Sequence, residues 1–256
     1  MNELSKEALT IAVPIVDSHL ENTKDLLGDK LAAMDGEIGH VRDFYFDDKI
    51  WVIRYAIADT GSWLTGRLVL LSPYAFGRLD QQDKTLHINL RKMQIQDSPS
   101  IESHKPVSRQ YEVDYYTYYG WPAYWDGGAM WGLGGYPTIL PHSKEEVEAT
   151  QKYHHRDDKH LQSAREVVGY NIATVDGHIG HVTGFLVDDR SWAIRELVVE
   201  TGHWYSGKEI RIPTNRVERI SYEASKVVVN LTKADIQKTA DHALAKGEKV
   251  RIKTMS

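Results

Sequence analysis

Histidine is the residue type in this sequence that first suggests chemistry, because imidazole binds metals and transfers protons near neutral pH. His40 and His181 follow a glycine in the same short motif, His178 lies three residues before His181, and His203 lies in a glycine turn. Side chains three residues apart on a regular strand point to opposite faces, which makes His178 and His181 poor ligands for one ion. We therefore predict solvent-facing or locally hydrogen-bonded histidines and no metal site.

Two aspartate pairs, Asp47-Asp48 and Asp188-Asp189, could attract calcium. Neither is followed by the spaced oxygen ligands and the glutamate of a calcium loop, so both are predicted to form turns. The glycines of residues 36–39 and 177–180 precede predicted strands rather than helices, which argues against a nucleotide loop. There is no cysteine and no Gly-x-Ser-x-Gly motif. We predict no catalytic residue, no cofactor and no enzymatic activity.

Composition narrows the class of protein further. The chain has 256 residues, of which 41% are hydrophobic and 26% charged, as in soluble globular proteins. The net charge of -5 provides no overall attraction to nucleic acid, although a local basic patch remains possible. No stretch approaches the roughly 20 apolar residues of a membrane-spanning helix, and the start of the chain does not read as a signal peptide. We expect a cytoplasmic protein without membrane insertion.

The elements that position these residues occur twice, at a constant offset of 141 residues. The motif of residues 35–41, Asp-Gly-Glu-Ile-Gly-His-Val, returns at 176–182 as Asp-Gly-His-Ile-Gly-His-Val. Thr60-Gly61 and Trp63 likewise match Thr201-Gly202 and Trp204. All of these matches are related by the same offset, which indicates an internal duplication.

Each copy is predicted to be β-structure, with short strands separated by aspartate and glycine turns. The predicted strands of the first copy span residues 38–46, 51–58, 66–71 and 85–90, and those of the second span 179–187, 192–200, 207–212 and 226–231. Residues 232–237 are predicted to form a closing helical turn with Thr232 as its N-cap. The fold class expected is mainly β, with two small barrels or sandwiches.

Tryptophan and arginine recur inside the repeat. Trp51 and Trp63, with their counterparts Trp192 and Trp204, are expected to pack in the core or at its rim. Arg54 and Arg195 fall in the middle of a predicted strand in each copy. An ion pair with a nearby carboxylate is the simpler expectation for these arginines, and the alternative is an anchor for an anionic partner group.

The repeated motif, its aspartate turn and the following Trp-x-Ile-Arg segment resemble the PRC-barrel domain family. The resemblance covers residues 24–96 and 165–238 and is strongest over the first half of each copy. Known PRC-barrel domains include those of the H subunit of the photosynthetic reaction centre and of the bacterial ribosome-maturation factor. Residues 105–110 and 118–122 are also similar to bacterial proteins with two such domains. The resemblance implies two PRC-barrel-like β-barrels that dock protein or ribonucleoprotein partners, without a shared catalytic site.

Residues 97–164, between the copies, differ sharply in composition, with many aromatic residues among glycines. Three interpretations are open: the rings pack across the two barrels or across a dimer, they bind a partner, or the segment is a tether. Single-stranded nucleic acid is disfavoured because residues 111–141 contain no lysine or arginine. Seven rings are the candidate partner-binding residues: Tyr115, Tyr118, Tyr119, Trp121, Tyr124, Trp125 and Trp131.

The predicted organisation has five parts: an N-terminal extension (1–23), a first domain (24–96), an aromatic and glycine-rich linker (97–164), a second domain (165–238) and a tail (239–256). The linker is treated as lacking regular structure except for a short helix that begins at Ser143, with Glu146 completing a capping box. The leading functional hypothesis is a non-catalytic adaptor or scaffold that binds a protein partner or its own copy, most simply as a homodimer. The alternative is an RNA- or ribosome-associated assembly factor. The differences between the copies predict that the two barrels bind different things.

Overall fold

The structure is a computed structural model that describes residues 20–99, 107–132, 134–139, 161–202 and 207–238. It confirms the predicted fold class, because the described residues form a mainly β protein with two seven-stranded sheets. Each sheet contains one copy of the repeat. The predicted helix at Ser143 and the residues His203 and Trp204 lie outside the described residues.

Six strands of the first sheet come from the first copy, in the order β5-β4-β3-β2-β7-β6. Their bounds are β2 Lys30–Ala33, β3 Gly36–Asp47, β4 Val52–Asp59, β5 Leu68–Leu71, β6 Phe76–Asp80 and β7 Thr85–Ile88. A 3₁₀ turn, Pro73–Ala75, connects β5 to β6. The sequence predicted four of these six strands and missed β2 and β6, which are short and only partly apolar.

The second copy repeats this order as β12-β11-β10-β9-β14-β13. The bounds are β9 Asn171–Thr174, β10 Gly177–Asp188, β11 Ile194–Thr201, β12 Glu209–Pro213, β13 Val217–Ser221 and β14 Lys226–Val229. Residues 233–238 are helical. The predicted N-cap is confirmed, since Thr232 Oγ1 accepts a hydrogen bond from the Asp235 N–H at 3.1 Å.

The seventh strand of each sheet is supplied by the other copy. β1 (Leu20–Asn22), which lies in the predicted N-terminal extension, pairs with β10 of the second copy. β8 (Leu161–Ser163), which lies in the predicted linker, pairs with β3 of the first copy. A short helix follows each of these strands, α1 (Thr23–Leu26) and α4 (Ala164–Val167). The two copies are therefore joined by a reciprocal exchange of strands.

A pseudo-twofold relation explains the exchange, because the contacts between copies pair equivalent positions. Val52 forms an antiparallel bridge with Ala193, its own counterpart in the repeat. The Ile53 N–H donates to the Trp192 carbonyl at 2.8 Å, and the Ile194 N–H donates to the Trp51 carbonyl at 2.7 Å. The pseudo-axis thus passes beside the Val52–Ala193 bridge.

Both tryptophans at this junction adopt the left-handed backbone region, with φ of 58° at Trp51 and 56° at Trp192. This region is unfavourable for a bulky residue and is kept only where the surroundings support it. The supporting contacts include Phe46, which stacks on Trp51 at a centroid distance of 5.7 Å, and Phe76, which packs against Trp192 at 4.6 Å. The sequence placed both tryptophans in strands, whereas they lie in the turns before β4 and β11.

Two β-bulges alter the alternation of side chains within each copy. Tyr45 pairs with Tyr55 and Phe46 with Ile53, which leaves Arg54 without an opposite residue. Arg195 is skipped in the same way in the second copy. A bulge rotates neighbouring side chains toward one side of the sheet. As a result, Arg54 and Tyr55 both contact the segment that follows the first copy.

The first copy ends with α2 (Lys92–Gln96), the counterpart of helix 233–238, and the segment that follows it contains α3 (Arg109–Tyr119). The prediction of a linker without regular structure before residue 143 is therefore wrong. Ser108 caps α3 through its side chain, and Gly120 ends it at a φ of 66°, which matches the usual preferences of helix ends. No helix within the described ranges is long and apolar enough to span a membrane.

Candidate functional site

The aromatic cap is defined here as residues 107–132, which include α3. It lies on β4 and β5 of the first copy. The Tyr115 hydroxyl donates to the Leu70 carbonyl at 3.0 Å and accepts from the Ser72 N–H at 3.2 Å, and the Tyr116 and Ser72 hydroxyls lie 3.2 Å apart. These buried hydrogen bonds fix the cap to the end of β5, where strand pairing leaves backbone groups free for side-chain partners.

A buried carboxylate organises the interior of the cap. Glu112 has no exposed surface, and its Oε1 accepts hydrogen bonds from the hydroxyls of Tyr55 at 2.9 Å and Tyr124 at 2.6 Å. Its Oε2 lies 2.9 Å from Arg109 Nη1, one turn earlier on α3. A buried charge requires such partners, because an uncompensated carboxylate would lose its hydration without replacement.

Arg54 brings a second charge from the sheet into the cap. Only 1% of its surface is exposed. Its guanidinium carbon lies 3.7 Å from the ring centroid of Tyr124 and 4.6 Å from that of Trp131. Ring faces carry partial negative charge, so they stabilise a buried cation. This contact, rather than the predicted ion pair, is the main environment of Arg54.

Burial raises the pKa of the phenols in and around the cap. For Tyr74 and Tyr119 the pKa rises to about 12. Desolvation also raises the pKa of Tyr115 and Tyr124 well above the usual value, and in Tyr124 the adjacent Glu112 raises it further. At neutral pH these side chains are therefore neutral hydroxyl donors, which is the form that Glu112 and the backbone carbonyls require.

The structure brings the seven predicted partner-binding rings together in this cap but exposes them unequally. Tyr115, Trp121, Tyr124 and Trp131 are buried, Tyr119 and Trp125 are half-buried, and Tyr118 is 42% exposed. The buried four are packed inside the chain, which favours the packing interpretation for them. Trp131 also joins the copies, since its Nε1–H donates to the Ser191 carbonyl of the second copy at 2.8 Å.

Sequence reasoning missed the charged members of the cap, Arg109 and Glu112. A signal was present, because Tyr111, Tyr115 and Tyr119 follow Ser108 at helical spacing. Helical spacing places Glu112 beside Tyr115 on the buried face. The aromatic and glycine content of the segment obscured this periodicity.

A second candidate site is a cleft of about 790 Å³ on the first sheet. We call it the composite cleft, because both copies line it. The first copy provides residues from β3, the end of β4 and the following loop, and the second copy provides Arg165 of α4. Among its lining residues are Glu37, His40, Arg42, Asp59 and Trp63.

The composite cleft combines exposed charges with one aromatic ring. Arg42 and His40 are exposed, and Arg42 lies 3.7 Å from Asp59, at a distance and exposure that stabilise little. Trp63 is half-buried, and the ammonium group of Lys92 lies 4.8 Å from its ring centroid. Such a cleft offers an aromatic surface beside ionic groups that can change partners.

The floor of the composite cleft requires glycine at position 39. Gly39 has a φ of 128°, and a Cβ there would overlap the Asp59 carbonyl oxygen. Gly180 occupies the equivalent position in the second copy, with a φ of 150°, and a Cβ there would overlap the Glu200 carbonyl oxygen. Both glycines adjoin a bulge at Ile38 or Ile179, where the strand approaches its neighbour closely.

These bulges correct the prediction for the histidine pair. Ile179 and Val182 are both buried although they are three residues apart, so the strict alternation of a strand is broken between them. His178 is consequently exposed and His181 half-buried, so both lie outside the core. Across the described ranges, no group of three histidine, aspartate or glutamate side chains is arranged to hold a metal ion.

The aspartate pairs form turns, as predicted. Asp47 Oδ1 accepts hydrogen bonds from the Lys49 and Ile50 N–H groups. Asp188 does the same for Arg190 and Ser191. Arg195 Nη2 lies 3.2 Å from Asp188 Oδ2, which confirms the predicted ion pair for this arginine.

Comparison with known families agrees with this architecture. Residues 160–236 match the family model of the PRC-barrel domain. A search of curated proteins found no match for the chain. The matched range contains β8 and all six strands of the second copy, and the first copy repeats the same strand order. Residues 160–236 therefore form a domain that matches the PRC-barrel family.

Proposed function

We propose that the protein is a non-catalytic adaptor or scaffold that binds a protein partner at the composite cleft. The PRC-barrel match suggests a role in protein interaction or assembly in general. The observation that carries the finer proposal is the combination of Trp63 with Arg42 and Arg165 in one cleft. Tryptophan and arginine dominate the energetics of protein interfaces.

The two copies support an adaptor rather than a single docking module. The counterparts of Glu37, Arg42 and Arg165 in the second copy are His178, Thr183 and Lys24. Equivalent surfaces with different side chains select different partners, or one partner with different affinity. Joined by exchanged strands, they present these surfaces at a set distance, which is the arrangement that avidity requires. The proposed site of action is the cytoplasm.

Tyr118 and Tyr119 form a secondary contact region in this proposal. Both hydroxyls donate to the Gln94 carbonyl, so the rings are held at the surface between α2 and α3. Tyrosine rings held in this way provide contact area at low entropic cost. The remaining predicted rings serve the cap itself.

Site-specific photocrosslinking in the native cell tests the proposal. A photoreactive residue at Ser62, in the cleft, is expected to capture a distinct protein, whereas the same residue at the exposed position Glu223 is the control. The substitutions Trp63→Ala and Arg165→Ala should each abolish the captured band while leaving the folded protein intact. Equal crosslinking at both positions, or a band indifferent to both substitutions, would contradict the proposal.

The same crosslinked samples distinguish a protein partner from other molecules that could occupy the composite cleft. A band at twice the chain mass would identify a second copy of this protein, as a homodimer. An RNase-sensitive product, together with RNA binding that weakens steeply with salt, would support the ribosome-associated alternative. Mass measurement of the purified protein gives the oligomeric state without the partner.

A further inference from the structure

The two exchanged segments are close copies of each other. Residues 20–28 read Leu-Glu-Asn-Thr-Lys-Asp-Leu-Leu-Gly, and residues 161–169 read Leu-Gln-Ser-Ala-Arg-Glu-Val-Val-Gly. They pair in the same register, Leu20 with Asp188 and Leu161 with Asp47. Backbone pairing is therefore the same in both places, and what distinguishes the two docked segments is their side chains.

On the first sheet, Asp43 of β3 receives the incoming segment. Its carboxylate accepts a hydrogen bond from the Ser163 hydroxyl at 2.5 Å and from the Arg165 N–H at 3.1 Å. The same carboxylate accepts the N–H of its neighbour Phe44 at 2.7 Å. The Asp43 side chain thus accepts hydrogen bonds from donors of both the docked segment and β3.

On the second sheet, the position equivalent to Asp43 is Gly184. The Asn22 side chain fills the vacant space, because any Cβ at position 184 would overlap Asn22 Oδ1. Glycine has no group to accept the N–H of Phe185, and the Thr23 hydroxyl of the incoming segment accepts it instead, at 3.2 Å. The small residue on the sheet and the larger residues on the segment are complementary.

We propose that positions 43 and 184 are address residues that determine which segment docks on each sheet. In the opposite arrangement, Asn22 would meet the Asp43 side chain in a space that suits serine. Ala164 would also lie beside Gly184, where neither residue could accept the buried Phe185 N–H. A buried N–H without an acceptor is strongly unfavourable. Each segment therefore fits only the sheet of the other copy.

The consequence is that the two copies are held together as one body. If each segment docked on its own copy, Arg165 would leave the composite cleft and Lys24 would take its place. The address residues thereby determine the cationic side chain that the first cleft presents. They act on the assembly of the two copies, whatever the identity of a partner.

The test introduces the residues of the first docking site at the equivalent positions of the second site, in the full chain. Gly184→Asp alone should undock β1, and the amides of residues 20–22 should exchange with solvent about tenfold faster or more. Adding Asn22→Ser and Thr23→Ala recreates the set formed by Asp43, Ser163 and Ala164. The triple variant should return to within about threefold of the wild-type exchange rates.

The reverse transfer provides a matched control. Asp43→Gly leaves the Phe44 N–H without its acceptor, and Ala164→Thr should restore protection as Thr23 does for Phe185. If Gly184→Asp does not fold, the triple variant must still fold with native protection. A triple variant that is no better protected than Gly184→Asp, or that does not fold, would overturn the proposal.

Discussion

Arg54 and Arg195 occupy the same bulge position in the two copies, yet their surroundings are opposite. Arg54 is almost fully buried between Tyr124 and Trp131 of the aromatic cap. The Arg195 side chain is 46% exposed and pairs with Asp188 across the turn. The same residue at the same backbone position therefore has two roles, and the cap is the difference between them.

This contrast shows how a duplicated domain acquires distinct halves. The frame common to both copies consists of bulges, glycines and the left-handed tryptophan turns. The cap adds an interior to one copy alone within the described residues, where Tyr55 meets Glu112 and the corresponding residue of the second copy is Glu196. The surfaces left for partners differ accordingly.

The largest expected effect concerns the frame that the copies share. Gly39→Ala and Gly180→Ala should each destabilise the fold by more than about 3 kcal/mol, because the new Cβ would overlap a backbone carbonyl at a positive φ. Urea denaturation with circular dichroism measures the loss. A mild effect in one copy alone would show that the frame is not equivalent in the two copies. Gly128, with open space where its Cβ would lie, is the control.

The comparison of the arginines should give the next largest effect. Arg54→Met removes a desolvated cation from two ring faces and should cost about 2 kcal/mol of unfolding free energy. Arg195→Met breaks a partly exposed ion pair and should change stability by less than about 1 kcal/mol. Equal losses in the two variants, measured by the urea midpoint, would contradict the proposed role of the cap.

A smaller change tests the carboxylate inside the cap. Tyr124→Phe keeps the ring over Arg54 but removes the hydroxyl that donates to Glu112, and should cost about 1.5 kcal/mol. Tyr118→Phe, which removes a hydroxyl from an exposed ring, should cost less than about 0.5 kcal/mol. Thermal unfolding of the two variants side by side distinguishes them, and a larger loss for Tyr118→Phe would count against the buried network.

The contributions of the two copies to the free energy of unfolding should also depend differently on pH. This is the smallest of the expected effects. Burial raises the pKa of Asp43, although Ser163 and two backbone N–H groups partly offset it. Because the folded pKa is above the unfolded value, this contribution is fully present below the unfolded pKa and is lost as the pH rises through the folded pKa.

For Asp188, burial alone would raise the pKa, but hydrogen bonds from Ser191, Arg190 and Arg195 outweigh it and lower the pKa. That contribution is present above the unfolded pKa and is lost as the pH falls through the folded pKa.

Unfolding free energies from about pH 3 to about pH 7 test this difference. Relative to wild type, Asp43→Asn should become less destabilising as the pH rises, since the wild type loses its Asp43 contribution over that range. Asp188→Asn should become more destabilising over the same range. Parallel curves for the two variants would refute the assigned directions.

Part of this architecture was predictable from sequence, because the repeat is local information. The offset of 141 residues, the aspartate turns and four strands per copy follow from periodicity and turn residues. The exchange of β1 and β8 was not predictable, since each strand is only three residues long and the fit of Asn22 to Gly184 is visible only once both sheets are known. The burial of Arg54 depends on a bulge and on a distant helix, which neither β propensity nor charge pattern reveals.

Engineered cysteine pairs test the reciprocal exchange most directly, because the chain contains no cysteine of its own. Glu21 is opposite Val187 in the observed register, and Phe46 is the equivalent of Val187 in the first copy. Glu21→Cys with Val187→Cys should form a disulfide within one chain upon mild oxidation, whereas Glu21→Cys with Phe46→Cys should not. Efficient bonding between positions 21 and 46, with none between positions 21 and 187, would show that each copy keeps its own strand and would contradict the reciprocal exchange.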